Sequence, residues 1–367
     1  MYVFLASKFY YLKRLPNLDV LRFVLTVVVV FFHLPQLTRN QGLPYFIDAP
    51  IFNRGMEAVY MFFVLSGFLI IKLIYNAKQK GVFSIRKFYV RRMLRIFPLY
   101  YLITVFGFLF YWVVLPKIGI PFENNYQLTE GVLLVVFFLP NVFAELHMPG
   151  GILEILWSIG IEEQFYIVIA PVLFLINKNR ILQFLIVFTS IYFVVFHLEV
   201  FSVLGNYIMV FFFLFFGGII AILEEKKQLE FLKQSKVIPI TIVFLTLLYF
   251  TTSIFHFESS VLFNLLTMVL FGLFIHTITH NNLGIDIKNK TLNYLGKISY
   301  GLYMYHVIAL NAVVFLFLKL QKADLFNDRL TIILMYILTF ILTIAIAHLS
   351  YKYFESYFLK LKNKFRE

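Results

Sequence analysis

The chain has 367 residues, of which 61% are hydrophobic and 20% aromatic, whereas only 14% are charged. Soluble globular domains average about 45–50% apolar and about 25% charged residues, so this composition excludes a cytosolic enzyme and a disordered protein. The absence of cysteine excludes a disulfide scaffold, thiolate metal sites and a cysteine nucleophile. With a mean hydropathy of +0.85, the chain is expected to be an all-α polytopic membrane protein.

Ten apolar stretches are long enough to cross a bilayer, whose core of about 30 Å needs roughly 20 residues per helix. They are 17–36, 54–75, 96–115, 152–177, 181–197, 204–223, 237–256, 260–280, 294–318 and 330–351. Residues 131–143 are also apolar, but this segment is short and Pro140 interrupts it. The sequence therefore predicts about ten transmembrane helices plus one interfacial or re-entrant helix. We expect a single membrane domain over 1–367 without an appended soluble domain.

The formal net charge is +13. Because cytoplasmic loops of membrane proteins are enriched in Lys and Arg, the distribution of these residues predicts which side of the membrane each loop faces. With both termini in the cytoplasm and 131–143 not crossing, the inner side holds 24 of the 32 basic residues and the outer side 6. Arg22 and Lys72 lie within spans. If 131–143 crossed, the lysine-rich loop 226–236 would move outside. We expect a bacterial-type inner or plasma membrane, cytoplasmic N- and C-termini, and no nucleic-acid partner.

The first span carries three ionisable residues, Asp19, Arg22 and His33. Arg22 and His33 are about three helical turns apart and project from nearly the same face, and Asp19 is close enough to pair with Arg22. Ionisable residues within spans are costly and indicate functional sites by default. A structural ion pair plus a hydrogen-bonded histidine is the simpler interpretation, but the shared face favours a functional one.

The fourth span contains Ser158, Glu162, Glu163 and Tyr166. Adjacent helical residues point about 100° apart, so only one of the two carboxylates can face a given partner directly. Ser158, Glu162 and Tyr166 share a face, and a carboxylate there could orient a histidine and hold its tautomer. The alternative is a buried salt bridge between helices, with Arg22 as a candidate partner.

Two other spans place polar side chains in apolar surroundings. In the ninth span, Ser299, Tyr303 and His306 share one face, and a hydrogen bond between helices explains His306 as well as a catalytic role does. In the second span, Ser66-Gly67 indicates that two backbones approach closely.

A basic segment, 76–95, precedes the third span. It contains Arg86, and Arg91, Arg92 and Arg95 follow at helical spacing. Positive-inside charge and contact with anionic lipid account for much of such a run. Arginine also suits bidentate phosphate binding, which predicts a phosphorylated donor that enters from the cytoplasm.

Taken in order, these segments resemble the acyltransferase 3 family of integral-membrane O-acyltransferases. The matching pieces are NLDVLRF through His33, FFVLSGFLI at 62–70, RRMLRIFPLYY at 91–101, WSIGIEEQFY at 157–166, LGKISYGLYMYH at 295–306 and YKYFE at 351–355. One residue departs from the family pattern, because Ser356 stands where a proline often follows the last motif.

The resemblance implies transfer of an acyl group, usually acetyl from cytoplasmic acetyl-CoA, to a hydroxyl of an extracytoplasmic glycan or glycolipid. It implies that His33 is the intramembrane general base and that Asp19 and Arg22 form the first charged motif. The remaining family positions fall on Arg91, Arg92 and Arg95 for the CoA phosphates, and on Glu162, His306 and Glu355 in other motifs.

We expect His33 to remove the proton of the acceptor hydroxyl as this attacks the thioester, directly or after carrying the acetyl group itself, while Glu162 orients the imidazole. Arg86 joins the donor-binding arginines. The expected substrate-side residues are Ser158, Glu163, Tyr166, Tyr303, His306 and Glu355. We expect acetyl-CoA as donor co-substrate, membrane lipid as surroundings, and no metal.

The alternative function is a flippase or transporter of lipid-linked saccharides, since such proteins also bury Arg and His in many spans. A transporter needs the basic patch less and contains internal repeats more often. This sequence has the patch and lacks the repeats.

Overall fold

The computed structural model describes residues 15–120, 122–280, 283–321 and 327–365, which are mostly helical and include no β-strand. The helices are, in chain order, α1 (Leu18–Asn40), α2 (Gly55–Gln79), α3 (Ile85–Leu109), α4 (Leu128–Val136), α5 (Pro140–His147), α6 (Leu156–Leu175), α7 (Ile181–Phe196), α8 (Phe211–Glu225), α9 (Val237–Thr251), α10 (Ser260–Thr279), α11 (Lys290–Lys297), α12 (Ser299–Gln321) and α13 (Asp328–Ser350). Shorter helical turns connect several of them.

Every predicted span contains helix, although those over 204–223 and 294–318 are each divided between two helices. The architecture is that of a polytopic all-α membrane protein. Within the described residues, eight helical segments are long and apolar enough to cross a membrane. A ninth crossing results if Glu199–Asn206 and α8 act as one span, although they are bent by 83°. The continuous helix predicted over 204–223 is therefore wrong: it breaks at 207–210, where Ile208 has a φ of 53°. The tenth, α9, has only 15 residues.

Residues 131–143 form two short helices instead of one. α4 ends at Val136, Phe138 takes a φ of 59°, and α5 begins at Pro140. Proline fits a first helical turn, where its missing N–H would have no helical partner, but it cannot continue a preceding helix. Helices of 9 and 8 residues are too short to span a bilayer.

The position of Lys78 shows that this segment does not cross. Lys78, near the end of α2, donates to the main-chain carbonyls of Leu173 and Ile176 at the end of α6, so α2 and α6 end together. α3 starts there and runs to the other end, so the chain between α3 and α6 begins and ends at that other end. We call the end holding Lys78 and the loop 226–236 the basic end, and the other the opposite end.

Two glycines allow the backbones of α2 and α8 to pack closely. A Cβ on Gly67 would lie 1.8 Å from the carbonyl oxygen of Leu214, and one on Gly217 would lie 2.0 Å from that of Val64. Only glycine permits such contact between backbones. The expected packing role is confirmed for Gly67, and its neighbour Ser66 turns to another helix.

α3 begins earlier than predicted. Ser84 caps it by accepting from the backbone N–H of Lys87, and the helix continues through a π-helical turn at Phe110–Val114. The basic segment before residue 96 is therefore the first part of this helix and not a loop. Because helical geometry fixes the side-chain directions, the arginines are divided among different faces of α3.

Contacts between distant parts of the sequence close the bundle at its basic end. Asn17, just before α1, donates to the carbonyls of Ile278 and Ile285. A Cβ on Gly296 in α11 would lie 1.7 Å from the carbonyl oxygen of Asp19. The motif NLDVLRF at the start of α1 is thus packed directly against the motif LGKISYGLYMYH, which places α1 beside α12.

Candidate active site

A cavity of about 140 Å³ lies among α1, α2, α3, α6 and α12. Its apolar lining comes mainly from α2, including Val59, Phe63 and Leu65. Its polar lining consists of Arg22, Ser66, Arg92, Arg95, Ser158, Glu162, Tyr166, Ser299, Tyr300 and Tyr303. Five helices from both halves of the sequence therefore bring hydroxyl, carboxylate and guanidinium groups to one chamber.

Glu162 is held by two hydroxyl groups. Ser66 Oγ on α2 donates to its Oε1 at 2.7 Å, and Tyr166 Oη, one turn further along α6, donates to its Oε2 at 2.8 Å. Each carboxylate oxygen thus has a neutral donor. Ser66 is a site residue that the sequence indicated only as a packing position; the signal was its place in the motif at 62–70.

The arginines separate into two groups. Arg92 and Arg95, one turn apart, line the cavity, and the Arg92 guanidinium carbon lies 5.7 Å from the ring centroid of Tyr166. Arg86 is exposed in the first turn of α3, and Arg91 is partly buried outside the cavity lining. Of the four arginines predicted to bind the donor, only Arg92 and Arg95 line this cavity.

Asp19 and Arg22 form the ion pair that their spacing predicts, with Oδ1 and Nη1 3.1 Å apart. Asp19 is buried behind Gly296, whereas Arg22 reaches the cavity. The ion pair directs a guanidinium group of α1 towards the same chamber as the arginines of α3. The alternative pairing of Arg22 with Glu162 is not among the hydrogen bonds of the described residues.

Ser158 and Tyr303 form a buried hydroxyl pair. Their oxygens are 2.7 Å apart, and Tyr303 Oη also lies 2.9 Å from the main-chain oxygen of Ile155. Tyrosine has one hydroxyl proton, so when it is donated to Ile155, Ser158 is the donor to Tyr303. Tyr300, which the sequence did not single out, lies nearby and donates to the carbonyl of Ile96.

His33 is paired with His306. His306 Nε2 lies 3.2 Å from His33 Nδ1, and the ring centroids are 5.0 Å apart. His306 is fully buried, and its Nδ1 contacts the carbonyl of Tyr303. His33 Nδ1 also contacts the carbonyl of Val29 at 2.9 Å. A line of contacts thus runs from the cavity wall at Tyr303 through His306 to His33.

These contacts define the tautomers. A carbonyl only accepts, so His306 carries its proton on Nδ1 and accepts at Nε2. His33 then carries its proton on Nδ1, shared between Val29 and His306, and its Nε2 is the basic nitrogen. Within the described residues Glu162 makes no hydrogen bond to His33: its oxygens accept from Ser66 and Tyr166, and the polar partners of His33 are His306 and the Val29 carbonyl. The structure therefore gives no support to the expectation that Glu162 orients His33.

Glu163 and Glu355 lie outside the cavity lining, as do both histidines of the pair. Glu163 is buried, and its Oε1 has no hydrogen-bond partner within the described residues. Glu355 belongs to the π-helical turn Tyr351–Glu355 that follows α13. It accepts from Ser350 Oγ at 3.1 Å, and Ser350 in turn accepts from Tyr305. The last motif therefore packs against α12 beside Gly301, and Glu355 itself does not line the cavity.

Comparisons with known proteins agree with this arrangement of motifs. The family described as "Acyltransferase domain" matches residues 15–348. A Staphylococcus aureus (strain COL) protein, whose O-acetyltransferase name is itself provisional, is 24% identical over 389 residues, covering 96% of this chain and 59% of that protein. The peptidoglycan O-acetyltransferase OatA of Listeria monocytogenes is 26% identical over 162 residues, covering 42% of this chain and 24% of that protein.

The chain thus spans 59% of the length of the Staphylococcus relative. No solved structure matches it. The family match extends from the residues just before α1 almost to the end of α13, and includes every residue that lines the cavity. The chain belongs to the acyltransferase domain family.

Proposed function

We propose that this protein is a membrane O-acyltransferase that moves an acetyl group from cytoplasmic acetyl-CoA to a hydroxyl of an extracytoplasmic glycan or glycolipid. The observation that carries the proposal is the histidine pair beside the cavity. Arg92, Arg95 and Tyr303 line the cavity, and the main-chain carbonyl of Tyr303 contacts His306, which contacts His33. A cationic chamber thus adjoins a basic imidazole inside the bundle.

The direction of transfer follows from the charge. Lys and Arg collect in cytoplasmic loops, so the basic end faces the cytoplasm in this proposal, with both termini on that side of a bacterial-type inner membrane. Arg92 and Arg95 lie in the early turns of α3, near this end. His33 lies in the second half of α1, nearer the opposite end. The donor then enters from one side and the acceptor from the other.

The arginines are the proposed site for the phosphates of CoA. Guanidinium groups form paired hydrogen bonds with phosphate oxygens. Because hydroxyls of Ser66 and Tyr166 already satisfy Glu162, this carboxylate does not require Arg92 as its partner. The pantetheine arm then extends past Ser158 and Tyr303 towards His33.

The proton chemistry rests on His33. Its Nε2 takes the proton of the acceptor hydroxyl while the hydroxyl oxygen bonds to the thioester carbonyl carbon. The carbon–sulfur bond then breaks, and the proton passes from His33 to the CoA thiolate, which restores the starting tautomer. His306 keeps the Nδ1 proton in place throughout. A positioned base of this kind typically contributes about 10²–10⁴-fold to the rate.

The direct test is release of free CoA from acetyl-CoA by purified protein in detergent. We expect slow release by the wild type and a loss of about 10²–10⁴-fold in His33→Ala, with stabilisation by CoA retained. His147→Ala is the control, because His147 contacts Glu130 in the segment at the opposite end and does not line the cavity. Arg92→Ala should weaken stabilisation by CoA.

The outcomes separate this proposal from its rival. Unchanged CoA release by His33→Ala, with equal protein levels, would contradict the role of His33. Stabilisation by CoA without release would mean that turnover needs the acceptor, and the same comparison would then be made by counting acetyl groups on surface glycans of cells. Failure of CoA to stabilise the wild type would favour the flippase.

A further inference from the structure

A second polar cluster lies at the basic end, outside the candidate active site. Glu224 at the end of α8 faces His276 and His280 of α10, with Oε2–Nδ1 distances of 2.9 Å and 2.8 Å. The imidazole rings are stacked, with centroids 4.8 Å apart and planes 22° apart. Neither the proposed reaction nor the family motifs of the sequence include these three residues.

The three side chains match a cation site in donor type and position. One ligand atom from each lies within 4.8 Å of the other two. The histidines are four positions apart on one helix, which places them on the same face. Ligands around tetrahedral Zn²⁺, at about 2.0–2.1 Å, are roughly 3.3 Å apart. The two Glu224–histidine distances are about 0.5 Å shorter than this, a difference that side-chain rotation can supply.

The charged residues around the cluster are balanced. Lys72 of α2 contacts the other oxygen of Glu224 and lies 2.9 Å from Glu225. Lys227, Glu230 and Lys233 also line the groove, so three carboxylates face three ammonium groups and the surroundings carry no net positive charge that would repel a cation. Lys72 also fixes the orientation of Glu224 through the oxygen that faces away from the histidines. Metal-ligating carboxylates usually have an outer partner of this kind.

The cluster has the burial and the access of a binding site. The side chains of Glu224 and His276 are only 3% and 2% exposed, and that of His280 is 23% exposed. A groove of about 270 Å³ reaches all three. His276 Nε2 has no hydrogen-bond partner within the described residues, so Glu224 provides the polar contact that holds this ring. The groove leaves space for a water molecule as a fourth ligand.

We propose that Glu224, His276 and His280 bind one Zn²⁺ ion that joins α8 to α10, with Lys72 of α2 as the outer partner of the carboxylate. Two imidazoles and one carboxylate are a frequent protein ligand set for zinc, whereas Mg²⁺ and Ca²⁺ prefer ligand sets made of oxygen. This inference is independent of the proposed transfer reaction. It departs from the expectation of no metal, which rested on the absence of cysteine and on the scattered acidic residues of the outer loops.

Metal counting tests the proposal directly. Protein carrying an affinity tag without histidine is stripped with EDTA, incubated with Zn²⁺ alone, desalted and analysed by elemental mass spectrometry. We expect one Zn²⁺ per chain, no retention of Mg²⁺, and a rise in melting temperature with Zn²⁺. His280→Gln should weaken the affinity about 100-fold or more, since even outer-partner substitutions cost about 10–100-fold.

His147→Gln is the matched control. His147 Nε2 lies 3.2 Å from a carboxylate oxygen of Glu130, but this pair lacks a second imidazole, so zinc retention should not change. Co²⁺ in the wild type provides a measurement that needs no substitution, because a tetrahedral site gives intense visible absorption. Loss of zinc on desalting, equal zinc affinity in His280→Gln, or absence of the Co²⁺ absorption in folded protein would each overturn the proposal.

Discussion

α2 contributes to two polar clusters, each of which holds a buried carboxylate, Glu162 in one and Glu224 in the other. The two carboxylates are stabilised by different kinds of donor. On one side, Ser66 and the α6 residue Tyr166 donate hydroxyl hydrogen bonds to Glu162. On the other, Lys72 neutralises Glu224 with a full positive charge. Because hydroxyl groups donate to Glu162, Arg92 and Arg95 keep their positive charge for an anion. The Lys72–Glu224 ion pair instead joins α2 to α8, and we call this pair the clamp. The type of donor therefore distinguishes the cavity from the clamp.

The largest expected effect on stability comes from breaking the clamp. Lys72→Met should destabilise the folded protein by about 3–5 kcal/mol, because it removes the ammonium partner of the buried Glu224 carboxylate. Thermal or denaturant unfolding in detergent measures this. The double variant Lys72→Met with Glu224→Gln should recover part of the loss. Wild-type stability in Lys72→Met would show that charge pairing does not hold these helices.

Breaking the histidine pair should affect catalysis far more than stability. His306→Phe keeps an aromatic ring at this position but removes one of the two acceptors of the His33 Nδ1 proton, the other being the Val29 carbonyl. We expect kcat to fall about 100-fold, at the low end of the contribution of a positioned base. The affinity for CoA should stay unchanged. His348→Phe is a suitable control, because His348 contacts Tyr294 outside the chamber. A loss of affinity with constant kcat would contradict the positioning role.

The smallest effect should come from removing one hydroxyl of the chamber. Tyr166→Phe loses the bond to Glu162 but keeps the ring beside Arg92. Hydrogen bonds within membrane proteins average about 0.6 kcal/mol, so we expect a small fall in melting temperature and at most a fewfold loss of CoA release. A loss as large as that of His306→Phe would mean that Tyr166 contacts the reacting groups itself.

The sequence predicted the helices better than their boundaries. Apolar length identified every span, and Pro140 correctly indicated the break after α4. Hydropathy predicts that the third span starts at residue 96, because the charged residues before it are typical of a loop. In the structure, Ser84 caps a helix that includes these arginines. Hydropathy measures affinity for lipid; it does not detect a helix that continues into the polar region of a membrane.

Pairings between distant residues were the part that the sequence could not specify. His33, Glu162 and His306 were all candidate site residues, but the partner of His33 depends on which faces of α1, α6 and α12 meet. The cluster of Glu224 with His276 and His280 was not foreseen, since 52 positions separate Glu224 from His276. Helical periodicity predicts which residues share a face of one helix. Which other helix contacts that face depends on the packing between helices, including the close contacts at glycine.

The separation of the two active-site histidines has a consequence for biosynthesis. His33 and His306 are 273 positions apart, so the dyad forms only after α12 has entered the membrane, long after the ribosome has released α1. Until then, a growing chain contains the arginines of α3 but no oriented imidazole. In the proposed reaction, nascent or truncated chains that lack α12 would not consume acetyl-CoA, and activity would begin only when insertion is nearly complete.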